Sequence, residues 1–190
     1  GHRLLESLRS DLLAGSYRPG EVRRKEIPKP DGGSRKLGIP NVLDRWVQQA
    51  VHQVLAPIFE ANFHPSSHGF RPDRGAHTTL AEAKAHLLAG CDWVVAIDLS
   101  KFFDRVNHQR LLARLAQTVE DKRVRRLIAQ FLKAKVVLPD GTLVVSEEGT
   151  PQGGPLSPLL SNVVLDELDW ELHRRGLRFV RYADDFNVYV

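Results

Sequence analysis

Apolar and polar positions alternate along the chain in a way that divides it into helices and short strands. Leu4, Leu5, Leu8, Leu12 and Leu13 recur at helical spacing over residues 2–14, and Gly15 and Pro19 end the run. Val47, Val51, Val54, Leu55 and Ile58 mark one face of a second helix from Val42 to Phe59, expected to be interrupted late by Pro57. Further helices are expected over Thr78–Ala89, 107–117 and 120–134, with His64–Gly75 as loop. Ser157 as N-cap, Pro158 at the first helical position and Gly176 past the end delimit the last helix. Glu21–Pro28 and Arg35–Pro40 flank Pro30-Asp31-Gly32-Gly33, which supplies the fixed and the positive φ of a tight reversal, so this stretch reads as a hairpin. Val136–Leu138 and Thr142–Val145 form another across Pro139-Asp140-Gly141. Trp93–Asp98 is nearly all apolar and ends in an acid, the pattern of a buried central strand whose C-terminal end faces a site. Phe179–Tyr182 and Phe186–Val190 make a last hairpin with Ala183-Asp184-Asp185 at its tip, and Trp46, Trp93 and Trp170 are expected in the core.

Composition narrows the class. A chain of 190 residues fits one domain or two small lobes, and no apolar run approaches the roughly 20 residues of a bilayer crossing, so no membrane role is expected. The single cysteine, Cys91, can form neither an internal disulfide nor a zinc cluster, which fits an intracellular setting. The chain opens Gly1-His2 and contains no Met, as expected of a piece excised from a longer protein. Net charge is only +4, but Arg18, Arg23, Arg24, Lys25, Lys29, Arg35 and Lys36 crowd one stretch, which points to a polyanion partner.

Asp98, at a strand end, and Asp184 and Asp185, at a hairpin tip, are carboxylates presented by rigid elements, which suits oxygen ligation of hard divalent cations. Two-metal nucleotidyl transfer needs several carboxylates converging from different segments. Asp-Asp at a reversal is also an ordinary turn, so the pair alone leaves both readings open. His52, His64, His68, His77, His86, His108 and His173 show no metal spacing and are given no catalytic role.

Tyr182-Ala183-Asp184-Asp185 between hydrophobic strands resembles the catalytic signature of reverse transcriptases. Asp98-Leu99-Ser100-Lys101-Phe102-Phe103-Asp104 resembles that family's first carboxylate motif, and Gly149–Pro158, followed by Ser161-Asn162, its nucleotide-pocket motif. Arg35-Lys36-Leu37-Gly38-Ile39-Pro40 with Asp44-Arg45, and Gly69-Phe70-Arg71-Pro72 with Arg74, are closest to the enzymes encoded by bacterial group II introns. The resemblance spans residues 18–190 and implies an α+β right-hand architecture, with fingers over 1–90 and 110–148 and palm over 91–109 and 149–190. A small antiparallel palm sheet with packed helices is implied, and the thumb is expected to be absent from this stretch.

The same resemblance implies RNA-directed DNA polymerase activity with two Mg²⁺ ions, or Mn²⁺ in their place, held by Asp98, Asp184 and Asp185 and the Leu99 carbonyl. Lys29 and Arg35 are implied to grip the triphosphate, with a solvated basic face as the alternative. Phe103 is implied as the ring that excludes a 2′-hydroxyl, Phe102 as a core aromatic and Gln152 as a contact of the nucleotide sugar and base. Arg71 and Arg74 are implied to meet template phosphate or to make structural salt bridges, and Asp104 to be a cap or salt-bridge residue. Implied partners are RNA template and primer, deoxynucleotides and intron RNA, in a bacterial cytoplasmic monomer or dimer. Alternatives are the reverse transcriptases of diversity-generating, retron or CRISPR-associated elements, polymerases of similar palm that make RNA, and a non-catalytic RNA-binding maturase module. Without a thumb, the fragment itself is expected to be weak or inactive.

Overall fold

The computed structural model describes residues 2–28, 32–145 and 148–190. In chain order the elements are α1 (His2–Ala14), β1 (Val22–Pro28), β2 (Ser34–Ile39), α2 (Val42–Glu60), α3 (Ala76–Leu88), β3 (Val94–Asp98), α4 (Phe102–Arg105), α5 (His108–Ala116), α6 (Lys122–Leu132), β4 (Val136–Val137), β5 (Leu143–Val144), α7 (Ser157–Arg174), β6 (Arg178–Tyr182) and β7 (Asp185–Tyr189). The fold is thus α+β, with two separate small sheets. Lys29 lies outside the described residues.

Four of the helices share one apolar core. Leu55 and Phe59 of α2, Leu111 and Leu115 of α5, Ile128 and Leu132 of α6, and Leu159, Leu160 and Val163 of α7 interlock there, each at helical spacing from its partner on the same element. Asn41 caps α2, its side chain accepting the Asp44 amide, and α2 runs on through Pro57 to Glu60 rather than breaking. A proline removes one backbone donor and, three residues from the helix end, leaves little helix to disrupt. Ser157 is the first residue of α7 rather than its cap, and its hydroxyl donates to the Pro151 carbonyl at 2.7 Å, tying the preceding loop to the helix.

One sheet has the order β2-β1-β4-β5, in which the basic hairpin pairs antiparallel and β4 runs parallel to β1. The other has the order β3-β7-β6, antiparallel throughout. Phe179, Phe186 and Val188 pack one face of this sheet against Leu168 and Leu172 of α7, while Val180 and Tyr189 meet Ala83 of α3 on the other. Alternating side chains explain the division, because residues paired across neighbouring strands share a face.

The expected buried central strand is instead the edge strand β3, and β7 holds the centre. Val94 and Val95 are exposed and Trp93 is 76% exposed, since β3 has a neighbour on one side only. Trp46 and Trp170 are likewise not core residues: the former is 52% exposed on α2, and the latter lies at the surface with its indole N–H donating to the Asn62 carbonyl at 3.2 Å. In each case the polar edge or the open flank of the element keeps the ring at the boundary.

Candidate active site

The aspartates meet through strand register. Asp98, last in β3, is the cross-strand partner of Asp185, first in β7, and Asp185 is the partner of Tyr182 at the end of β6. Partners in an antiparallel pair present their side chains on the same face, so Asp98 and Asp185 stand side by side. Asp184 sits in the two-residue turn between β6 and β7. Burial, then the charges of Asp184 and Asp98, raise the Asp185 carboxyl above its ordinary value. Three acids repelling one another here gain most from a bound cation.

The turn that carries them is strained and braced. Ala183 has φ +58, a left-handed conformation that a residue with a Cβ adopts at a cost. Its carbonyl accepts from Arg181 Nη1 at 2.8 Å, and Arg181 itself is fully buried. The same guanidinium makes a two-pronged ion pair with Asp169 of α7 (2.7 and 2.6 Å), and donates to Asn162 Oδ1 (3.0 Å) and Ser67 Oγ (2.7 Å). The backbone of Arg181 also bonds to Ser66 and His68, so the 64–75 loop runs as a short parallel neighbour of β6. His68 in turn contacts Thr78 and Glu82 of α3. The aspartate turn is therefore clamped between α7 and a loop that α3 holds down.

Opposite this turn, the loop after β5 closes the site. Gly149 has φ +88, and a Cβ there would come within 2.9 Å of the Phe103 and Asp104 carbonyls, so only glycine lets the loop approach α4. Thr150 N–H donates to the Phe103 carbonyl at 2.7 Å, and Gly38 N–H of β2 donates to the Gln152 carbonyl at 2.9 Å. The loop that carries Gln152 is thus stitched between the basic hairpin and α4.

These elements enclose an open cavity of about 800 Å³ lined by Arg35, Asp98, Leu99, Phe103, Gln152, Asp184 and Asp185. Every described residue expected at the metal and nucleotide sites lines it. Phe102 also reaches the cavity but packs against the helical core, whereas Phe103 stands on its wall, the two rings meeting edge to face. The Leu99 carbonyl accepts the Phe102 amide at 3.0 Å, which uses one of its two lone pairs. Asp104 lies in α4 and lines the cavity as well.

Lys36, Lys101 and Phe70 also line it: the sequence placed Lys36 in the basic stretch but gave none of the three a role at this site. Asn162, Asp169 and Arg181 were also missed as site-forming residues, because only tertiary contact assembles them.

Arg71 departs from the template-phosphate expectation and takes the structural alternative. It is 8% exposed, its guanidinium is spent on Glu60 (2.6 Å) and on the carbonyls of His64 and Ser67, and it lies over the Phe63 ring. Arg74 is only partly covered and donates to the Pro65 carbonyl.

Among the described residues, no three His, Cys, Asp or Glu side chains form a ready-made metal cage. That agrees with the chemistry of Mg²⁺, which is held by one or two carboxylates together with water and substrate phosphate oxygens rather than by an all-protein shell. Asp98, Asp184 and Asp185 fit that role. No helix among the described residues is long and apolar enough to cross a membrane.

Residues 27–190 match the family model described as reverse transcriptase (RNA-dependent DNA polymerase). Protein YkfC of Escherichia coli (strain K12) is 42% identical over 91% of this chain and 46% of its own length. The group II intron-encoded protein LtrA of Lactococcus lactis subsp. cremoris is 38% identical over 95% of this chain and 30% of its own. The chain therefore spans less than half the length of these relatives. Among solved structures, a chain of a partial Cas6-RT-Cas1–Cas2 complex superposes with a TM-score of 0.61 at 28% identity, covering 99% of this chain and 33% of that one. With the paired aspartates, the braced turn and the glycine-bearing loop all falling within the matched residues, the chain belongs to the reverse transcriptase (RNA-dependent DNA polymerase) family.

Proposed function

We propose that the chain forms the fingers and palm of a reverse transcriptase encoded by a group II intron, and that it adds deoxynucleotides to a primer 3′-hydroxyl as directed by an RNA template. The observation that carries this reading is the register Asp98 opposite Asp185, with Asp184 on the adjoining turn, in a cavity that also holds Arg35, Phe103 and Gln152. The partition of the strands into two sheets supports a division into fingers over 1–90 and 110–148 and palm over 91–109 and 149–190.

In this reading Asp98, Asp184 and Asp185, with the Leu99 carbonyl, hold two Mg²⁺ ions. When bound, such ions activate the attacking 3′-oxygen and stabilise the leaving pyrophosphate. Arg35 and Lys36 place fixed positive charge where the triphosphate enters, offsetting charge that grows on the leaving group. Phe103, on the cavity wall, crowds the position of a 2′-hydroxyl, so deoxynucleotides are preferred by shape. Gln152, anchored through its carbonyl to Gly38, lies against the nucleotide. Arg181 holds the aspartate turn in place and touches no substrate.

Similarity to the intron-encoded LtrA supports binding of intron RNA, and similarity to the nuclear intron maturase 4 of Arabidopsis thaliana, 30% identical over 94% of this chain, supports a maturase role in the parent protein. The likeness to the Cas6-RT-Cas1–Cas2 chain supports a second reading, a CRISPR-associated reverse transcriptase, at lower sequence identity. The test is extension of a DNA primer on an RNA template by the full-length protein. The proposal expects extension that needs a divalent cation and favours deoxynucleotides. RNA binding without any extension would favour the non-catalytic maturase module instead.

A further inference from the structure

Neither packing nor the proposed mechanism gives Phe70, of the Gly69-Phe70-Arg71-Pro72 segment, a task. It is a bulky residue at φ +60 and is 48% exposed, with its side chain on the wall of the aspartate cavity. Both features are unfavourable for folding: the left-handed backbone strains a residue with a large side chain, and the ring leaves apolar surface in water. Strain of this kind persists only where the surroundings over-determine it, and it gathers at binding sites.

The surroundings do over-determine it. Gly69 has no room for a side chain, since a Cβ would fall 2.2 Å from the Ala183 nitrogen of the aspartate turn. Its carbonyl accepts from Asn162 Nδ2 at 2.9 Å, and Asn162 is held in turn by Arg181. On the other side, Arg71 is locked to Glu60 and to the His64 and Ser67 carbonyls. Phe70 therefore projects from between two buried anchors, one of which rests directly on the turn bearing Asp184. The backbone that carries the ring is thereby set at a fixed offset from the aspartate turn.

We propose that Phe70 is a stacking platform for a nucleobase at the mouth of the aspartate cavity. The inference rests on the polymerase reading of that cavity. Arg35, Lys36 and Lys101 on the walls suit phosphate, and the aspartates suit cations, but a base needs a flat apolar face. An aromatic ring supplies it without regard to base identity, as a templated polymerase requires. The base belongs either to the template strand or to the incoming nucleotide.

The test uses the full-length protein, a DNA primer annealed to an RNA template, and 2-aminopurine as the fluorescent base. The label is placed at successive template positions in one arm and in the incoming deoxynucleoside triphosphate in the other. Wild type is expected to quench the label in one arm, which identifies the source of the base. Phe70→Ala should remove that quenching and weaken binding of the stacked component by about 5- to 150-fold, whereas Phe70→Trp should retain both. Phe70→Gly, which accepts φ +60 without strain, should bind as poorly as Phe70→Ala and melt no lower than wild type.

Binding by Phe70→Ala within twofold of wild type, with the quenching unchanged, would overturn the platform while leaving the polymerase reading intact. A Phe70→Gly variant that melts well below wild type would overturn it too, by showing that the ring is a packing residue. If the full-length wild type binds no primer-template even at low salt, the polymerase reading of the cavity fails and the platform with it.

Discussion

Phe102 and Phe103 are adjacent in sequence and differ in surroundings, one packed on the helical core and the other on the cavity wall. Replacing Phe103 by Ala or Val should open space for a 2′-hydroxyl and raise ribonucleotide over deoxynucleotide incorporation, read as a ratio of kcat/KM values. The same change at Phe102 should instead lower stability and leave that ratio alone. Arg71 gives a complementary prediction. With its guanidinium committed to Glu60 and two carbonyls, Arg71→Gln should cost roughly 2–3 kcal/mol in denaturant unfolding, because charged hydrogen bonds are lost. The salt dependence of RNA binding should be unaffected, since that slope counts phosphate contacts. A flatter slope with unchanged stability would return Arg71 to the nucleic-acid interface.

At the scale of elements, the Arg181–Asp169 pair joins β6 to α7 and reaches the Ala183 carbonyl. Arg181→Met should destabilise the chain by about 3–5 kcal/mol by stranding a buried carboxylate. The double variant Arg181→Met, Asp169→Leu should recover most of that stability, yet primer extension should stay low because the turn has lost its anchor. Recovery of both would make the pair structural only. Much of this architecture was legible beforehand: helical periodicity located α1, α2, α5 and α6 to within about two residues, and the Asp184-Asp185 hairpin stood out by its β-branched and aromatic flanks. Two things were not. An apolar run reads alike whether one or both edges of the strand are paired, so Trp93–Asp98 was placed at the centre of its sheet when β3 is an edge. The brace of Arg181, Asn162, Ser67 and Gly69 joins residues as many as 114 apart in sequence, and no local pattern announces it.

Across the whole molecule, charge and burial set the response to solvent. His64 is buried against Trp170, His173 and Phe179, with its Nδ1 accepting the Ser66 amide. Burial, only partly offset by Asp169, holds its pKa below the ordinary 6.5. As pH falls below 6.5 the unfolded chain takes up this proton before the folded one, so stability present at neutral pH is lost on acidification. His64→Gln should flatten thermal stability across that window. Arg35 and Lys36 both line the cavity from the exposed hairpin, and reversing their charge together should reduce the salt slope of RNA binding by about one for each phosphate contact removed. The central claim is that Asp98 and Asp184, brought together by the β3–β7 register and the braced turn, perform nucleotidyl transfer. Single-turnover addition of one deoxynucleotide to a primer on an RNA template, comparing the full-length protein with its Asp98→Asn and Asp184→Asn variants, tests it most directly. Each variant should lose roughly a thousandfold or more in rate, about 4 kcal/mol of barrier, while binding the primer-template as wild type does. Near-normal addition by either variant would contradict the assignment.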